Sequence, residues 1–316
     1  MAITTITNSM TAVEQTLQDI VDSDVKVLRD ASQHIISSGG KRIRPHIALL
    51  AYLAAGGNDP LEAVPMAAAI EMVHTATLVH DDINDHSQTR RGKIAVHARW
   101  GRTFALLTGD YLFTKVYELM APYGGEFNVI MADACIKLVE GETLQAAAAK
   151  SGMMDRETYK TIIARKTASL FEAGASMGGM LANASAEIVK ALTEYAYNLG
   201  LTFQIVDDIL DIVGDPETLG KPVGADLAQN RGVMAVRNGD ALATIANGGK
   251  AVTAVADADP FQEMMSQLRD SGAVDVARLQ AQETAVRARN ALKQIPPSPA
   301  RNELEGLIDM VLDRDK

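Results

Sequence analysis

The sequence predicts an all-α protein, and three observations carry that expectation. Ala, Leu and Met abound while Phe, Trp and Tyr together make up only 4% of the chain, a balance that favours helices because sheets lean on aromatic and β-branched residues. Apolar residues recur at helical spacing along most of the chain. Hydrophobic residues reach 47% of 316, ample for a core. No linker, low-complexity tract or composition shift divides the chain, so residues 1–316 are expected to form a single helical domain.

Residues 11–37 read as the first helix, with Leu17, Ile20, Val21, Val25, Leu28, Ile35 and Ile36 at helical spacing and Ser38-Gly39-Gly40 as the stop. The loop Gly39-Gly40-Lys41-Arg42-Ile43-Arg44-Pro45 then places three cations before a new helix, with Pro45 suited to its start. Helix N-termini and guanidinium groups both suit phosphate. After a turn at Gly56-Gly57-Asn58-Asp59-Pro60, residues 61–85 read as one long helix carrying His74 and His80. A histidine on an apolar helix is ordinarily a hydrogen-bonded core residue, the reading kept for His80. His74, two turns before Asp81 on nearly the same face, is equally a candidate ligand group. Residues 86–93 form a polar loop with the pair Arg90-Arg91, suited to clamping phosphate.

Helices over residues 104–123 and 127–149 read as scaffold, including Glu140 and Glu142. Residues 156–181 form another helix with Lys166-Thr167 at its middle, where a lysine in apolar surroundings needs a partner anion. A helix from residue 185 runs to residue 211, and Lys221 follows in the basic turn Gly220-Lys221-Pro222-Val223-Gly224. The last third shows turns and mixed-charge helices but no motif.

Two aspartate clusters organise the chain. Asp81-Asp82-Ile83-Asn84-Asp85 is echoed by Asp207-Asp208-Ile209-Leu210-Asp211. At about 100° per residue, Asp81 and Asp85 share a helix face, as do Asp207 and Asp211, while Asp82 and Asp208 turn aside. Carboxylates stacked without basic residues in the cluster repel one another. Each cluster also follows apolar residues, unlike a solvated acidic face. Oxygen-only sets of this kind are what Mg²⁺ prefers, its shell completed by water and substrate phosphate, so a diphosphate is the implied ligand.

The net charge of −10 argues against a nucleic-acid surface. The single cysteine, Cys135, rules out a disulfide framework and reads as core. Residues 1–10 are polar and no run of about 18 apolar residues occurs, so neither a leader nor a transmembrane segment is expected, and the protein should be soluble and cytoplasmic.

These motifs together, from Gly39 through the two aspartate clusters to Gly220-Lys221-Pro222, resemble the trans-isoprenyl diphosphate synthases over residues 39–226. The resemblance implies a helical bundle around a deep central cavity, the two clusters facing each other at its mouth, and a homodimer. It implies three Mg²⁺ ions held by Asp81, Asp82, Asp85, Asp207 and Asp211. Lys41, Arg44, His74 and Arg91 match the isopentenyl diphosphate site, and Arg90, Lys166, Thr167, Gln204 and Lys221 the allylic diphosphate site. Departure of the allylic diphosphate, with Asp81, Asp85, Asp207, Arg90, Lys166 and Lys221 stabilising it, leaves an allylic cation that the isopentenyl double bond attacks.

Product length should follow cavity depth. Ala76, five positions before Asp81, lies about 7.5 Å deeper at roughly 1.5 Å per residue. Ala76 and Thr77 are small where farnesyl-producing relatives carry an aromatic ring, so growth to geranylgeranyl or beyond is expected. Met72 and Val73, or Leu106, Tyr111 and Phe113 on a facing helix, could form the floor. One departure stands out. Asn230-Arg231-Gly232-Val233-Met234-Ala235 keeps a charge at Arg231 but lacks the family's threonine and proline, which puts closure of that loop in question. A farnesyl diphosphate synthase and a non-catalytic partner subunit are the alternatives. A terpene cyclase fits poorly, because its second metal motif is not aspartate-only.

Overall fold

The structure, a computed structural model, describes residues 2–214, 224, 232 and 270–315. As expected, it is built of helices: α1 Ala2–Ile20, α2 Lys26–Ile36, α3 Ile43–Ala54, α4 Val64–Asn84, α5 Val96–Trp100, α6 Arg102–Met120, α7 Gly125–Ser151, α8 Arg156–Ile163, α9 Ser169–Leu181, α10 Ala186–Val213, α11 Ala273–Leu292 and α12 Pro299–Leu312. Short 3₁₀ turns cover Pro60–Ala63 and Asp313–Asp315, and one antiparallel ribbon pairs β1 Thr89–Arg90 with β2 Lys93–Ile94. No helix among the described residues is long and apolar enough to cross a membrane.

The single first helix expected over residues 11–37 is two helices. Residues 21–25 break it because the Ser23 hydroxyl accepts from the Val25 amide at 3.2 Å, while Arg29 donates to the Ser23 carbonyl at 2.7 Å. The Ser23 hydroxyl thus offers the backbone a partner that a helix would otherwise supply. The helix expected over 156–181 is likewise interrupted, by a wide π turn at Ala164–Ala168.

The chain divides into two compact units. One comprises Met1–Cys135, Leu170–Ala196 and Ala291–Gly306. At its heart α4 packs on α1, α3 and α6, burying Met66, Ile70, Met72, Val73, Ala76 and Val79. Arg42 precedes α3 with φ of 47° and is turned inward. Its guanidinium donates to Glu71 at 2.9 Å, to Glu14 at 2.5 Å and to the Ile36 carbonyl at 3.0 Å. Of the three cations in that loop, Arg42 therefore serves the scaffold.

Helix α9 approaches α3 closely at Gly178, where an added Cβ would lie 2.6 Å from the Ala48 carbonyl oxygen and 3.0 Å from the Tyr52 amide. Backbone cannot yield as a side chain can. Gly178→Ala should therefore lower stability by about 1–3 kcal/mol by forcing the helices apart, read as an earlier urea midpoint at unchanged slope. An unchanged midpoint would contradict this close packing.

The other unit comprises Ile136–Ser169, Tyr197–Asn290 and Leu307–Lys316. Asp155 caps α8, its carboxylate accepting from the Thr158 amide at 2.7 Å. The π turn lies against α7 at Gly141, where a Cβ would meet the Lys166 amide nitrogen at 2.7 Å. α10 is tied to α11 by the Thr202–Thr284 hydroxyl pair at 2.8 Å. Cys135, the last residue of the first unit's leading segment and expected in the core, is half-buried, and burial pushes its thiol up to about 11, so it stays protonated.

Candidate active site

In the first unit, α4 runs out at the first aspartate cluster. Asp81 and Asp85 are half-exposed, and Asp82, expected from helical spacing to turn aside from them, is buried. Arg90 donates from both Nε, at 2.8 Å, and Nη2 to Asp82 Oδ1. Burial pushes the Asp82 carboxyl above the usual range against the pull of Arg90. Its other oxygen, Oδ2, is buried with no hydrogen-bond partner. Arg90, expected to clamp diphosphate, is thus held by an aspartate of the cluster.

The loop carrying Arg90 and Arg91 is a hairpin. Arg91 and Gly92 at its turn have φ of 51° and 75°, the paired left-handed conformation of a type I′ turn. An X-Gly pair flanked by two short polar-apolar stretches was the available signal. The ribbon is fastened to α2. Lys93 Nζ donates to the Ser37 carbonyl at 2.8 Å, and His34 Nε2 lies 2.8 Å from the Ile94 carbonyl, which leaves Nδ1 to accept from Arg99 at 3.2 Å. Trp100 meets the His34 ring edge-on at 5.1 Å with Arg99 over its face at 4.5 Å. Arg91 donates to the Gly39 carbonyl, and a Cβ on Gly40 would lie 2.5 Å from the Arg91 guanidinium. The ribbon is therefore seated against the Gly39-Gly40 turn that leads through Lys41 to Arg44 in the first turn of α3.

Arg44 lies over the Phe171 ring at 4.9 Å. Burial and the nearby Arg44 and Arg91 hold His74 well below the usual histidine range, so it is a neutral imidazole at pH 7. His80 is less enclosed than expected: half-exposed, it stacks on Phe113 at 6.1 Å and brings Nε2 to 3.3 Å from the Leu106 carbonyl. Deeper along α4, Met72, Val73 and Ala76 are fully buried and Thr77 nearly so. On α6, Leu106 is 42% exposed, and Tyr111 directs its hydroxyl to the Asp22 carbonyl at 3.0 Å. Both make poorer floor candidates than the sequence suggested.

In the second unit, Lys166 in the π turn pairs with Glu142 at 2.6 Å, and Arg165 with Glu140 at 2.9 Å. The acids read as scaffold supply the partner anion that a mid-helix lysine demanded. Thr167 donates to Gln204 Oε1 at 2.8 Å, Gln204 Nε2 donates to Asp208 Oδ1 at 2.9 Å, and the buried Tyr159 hydroxyl donates to Asp208 Oδ2 at 2.8 Å. Burial, with Asp208 alongside, holds the Tyr159 pKa well above the ordinary tyrosine value. Arg314 brings Nη1 to 2.8 Å from Asp207 Oδ1 and lies over the Phe203 ring at 4.5 Å. Tyr159 and Arg314 were not singled out in the sequence. Tyr159 precedes Lys166 by two helical turns, a usable signal, whereas nothing near Arg314 marks it. Lys221 and Arg231 lie outside the described residues.

Does this set suit a metal ion? Among the described residues, no three of His, Cys, Asp and Glu are gathered as a ready-made cage. What each unit offers is carboxylate oxygen one helical turn apart, and the first adds the orphaned Asp82 Oδ2. One or two carboxylates completed by water and phosphate is how Mg²⁺ is ordinarily held, so the residues fit it.

The sequence model of the family described as polyprenyl synthetase matches residues 25–242. A short chain isoprenyl diphosphate synthase of Methanothermobacter thermautotrophicus is 36% identical over 96% of this chain and 95% of its own. An octaprenyl diphosphate synthase of Escherichia coli is 35% identical over 97% of this chain and 96% of its own. Among solved structures, a polyprenyl synthase from Caulobacter crescentus, complexed with calcium and isoprenyl diphosphate, superposes with a TM-score of 0.88 at 34% identity, covering 98% of this chain and 95% of that one.

Proposed function

The chain belongs to the polyprenyl synthetase family of prenyl diphosphate synthases, and from that premise we propose that it is a Mg²⁺-dependent trans-prenyltransferase. It joins isopentenyl diphosphate to an allylic diphosphate and releases an all-trans polyprenyl diphosphate of geranylgeranyl length or longer. The observation that carries this reading is that each unit sets a cation directly against its aspartate cluster: Arg90 on Asp82 in one, and Arg314 on Asp207 in the other.

Asp81 and Asp85, with Asp207 and Asp211, would hold the ions, three by the family's pattern. When bound, Mg²⁺ neutralises charge that builds on the departing diphosphate. Lys41, Arg44 and Arg91 bind the isopentenyl diphosphate, and neutral His74 adds a hydrogen bond rather than a charge. Arg90, Lys166 and Lys221 stabilise the leaving diphosphate as the C–O bond breaks. To do so, Arg90 must share or leave Asp82, and Lys166 must share or leave Glu142. Gln204 and Arg231 belong to the same allylic side. Thr167 gives its one proton to Gln204 in this arrangement, so its role there is to position Gln204 rather than to donate to the diphosphate.

We take the two units as one catalytic domain that works in the cytoplasm as a homodimer. α6 exposes Phe104, Leu107 and Tyr117, and α7 exposes Val129, Ile136 and Val139, large side chains that a second copy would cover.

Incubation with Mg²⁺, labelled isopentenyl diphosphate and allylic primers of increasing length tests the reading. Elongated products that vanish on chelation support it, and no product from any primer overturns it. Ala76→Phe should shorten the longest product to farnesyl, because a ring replaces a methyl in the buried wall of α4. A native protein that itself stops at farnesyl would instead place the floor at Met72.

A further inference from the structure

We propose that Tyr159 is a positioning residue for the allylic diphosphate side of the site, acting through Asp208 on Gln204, which Thr167 holds from its other end. The proposal rests on the prenyltransferase reading above. Asp208 is the one aspartate of its cluster that helical spacing turns away from the face of Asp207 and Asp211. It is 5% exposed, and its two carboxylate oxygens accept from two neutral donors, Tyr159 and Gln204.

The direction of every bond in this chain follows from Asp208. An ionised carboxylate only accepts, so Gln204 must present its NH₂ to Oδ1 and its carbonyl oxygen to Thr167. Thr167 in turn must donate to Gln204. Tyr159 can satisfy Oδ2 only by donating. Losing that donor removes one of the hydrogen bonds that fix the rotation of the Asp208 carboxyl group. Rotation would take Oδ1 from Gln204 and leave the amide free to flip.

The placement of Tyr159 suits this task. It is 3% exposed, on a helix capped by Asp155 and followed at once by the π turn that presents Lys166 and Thr167. A neutral hydroxyl also steadies Asp208 without bringing a second positive charge to a cluster that must take up cations. That distinguishes Tyr159 from Arg90, which holds Asp82 by charge.

The test is a double-mutant cycle of Tyr159→Phe and Gln204→Leu in the full-length protein with Mg²⁺. Tyr159→Phe should lower kcat about 10-fold, the scale of a lost outer-shell contact. KM for isopentenyl diphosphate should stay within about twofold, because its binding residues lie elsewhere. On the Gln204→Leu background the same change should have almost no further effect, since the link it acts through is gone. The Gln204 side-chain amide resonance, assigned by its loss in Gln204→Leu, should shift in Tyr159→Phe. Unchanged kcat, equal losses on both backgrounds, or an unmoved amide resonance would each overturn the proposal. All assays run below the melting point of the least stable variant. A wild-type protein that makes no product would instead fail the prenyltransferase reading itself.

Discussion

Asp81→Asn is expected to lower kcat/KM by about 10³-fold while leaving the fold intact, a loss of about 4 kcal/mol of transition-state stabilisation. The substitution keeps the shape of the side chain and removes only its charge. Asp81 is half-exposed in the last turn of α4, so no core contact is lost and the melting point should hold. What disappears is an anionic oxygen one turn from Asp85, and with it the pair that would bridge a cation to diphosphate. The Mg²⁺ concentration for half-maximal rate should rise as well. A loss under tenfold with an unchanged Mg²⁺ requirement would remove Asp81 from the metal set.

Arg42→Ala is expected to be the most damaging change to stability, at about 3–5 kcal/mol. The Arg42 side chain is 7% exposed and that of Glu71 only 2%. Deleting the guanidinium strands Glu71 as a buried carboxylate and takes one of two donors from the Ile36 carbonyl, which keeps the Gly39 amide at 3.4 Å, so the cost exceeds whatever net stability the intact pair confers. Urea unfolding measures it directly, and a change below about 1 kcal/mol would show that Glu71 relaxes to water. Arg42→Lys should rescue only part of the loss, because an ammonium cannot reproduce the fork that spans Glu14, Glu71 and Ile36.

The contrast between these two residues shows where sequence reading works. Asp81, Asp82 and Asp85 lie within five residues, and the helix that arranges them is local, so spacing alone told which carboxylates share a face and which turns aside. Ala76 could be placed on the buried wall of α4 for the same reason. Arg42 sits among cations that read as one phosphate loop, yet its inward turn depends on Glu14 and Glu71, which belong to other helices. Arg314 with Asp207 is likewise a tertiary pairing that no local pattern announces, and the spacing from Tyr159 to Lys166 marks Tyr159 without announcing its partner Asp208. The break after α1 was different. Asp22-Ser23-Asp24 carried the signal, but apolar periodicity on both sides outweighed it.

Trp100 is the chain's single tryptophan, and it sits where the arginine ribbon is fastened to α2, against His34 and under Arg99. Intrinsic emission excited to the red of tyrosine absorption therefore comes from one point of known surroundings. The native protein carries its own optical probe of that anchor, with no dye or label to perturb it. Any ligand that draws on Arg91 pulls on the same ribbon, so occupancy of the basic half of the site can be followed as light, in real time and without turnover.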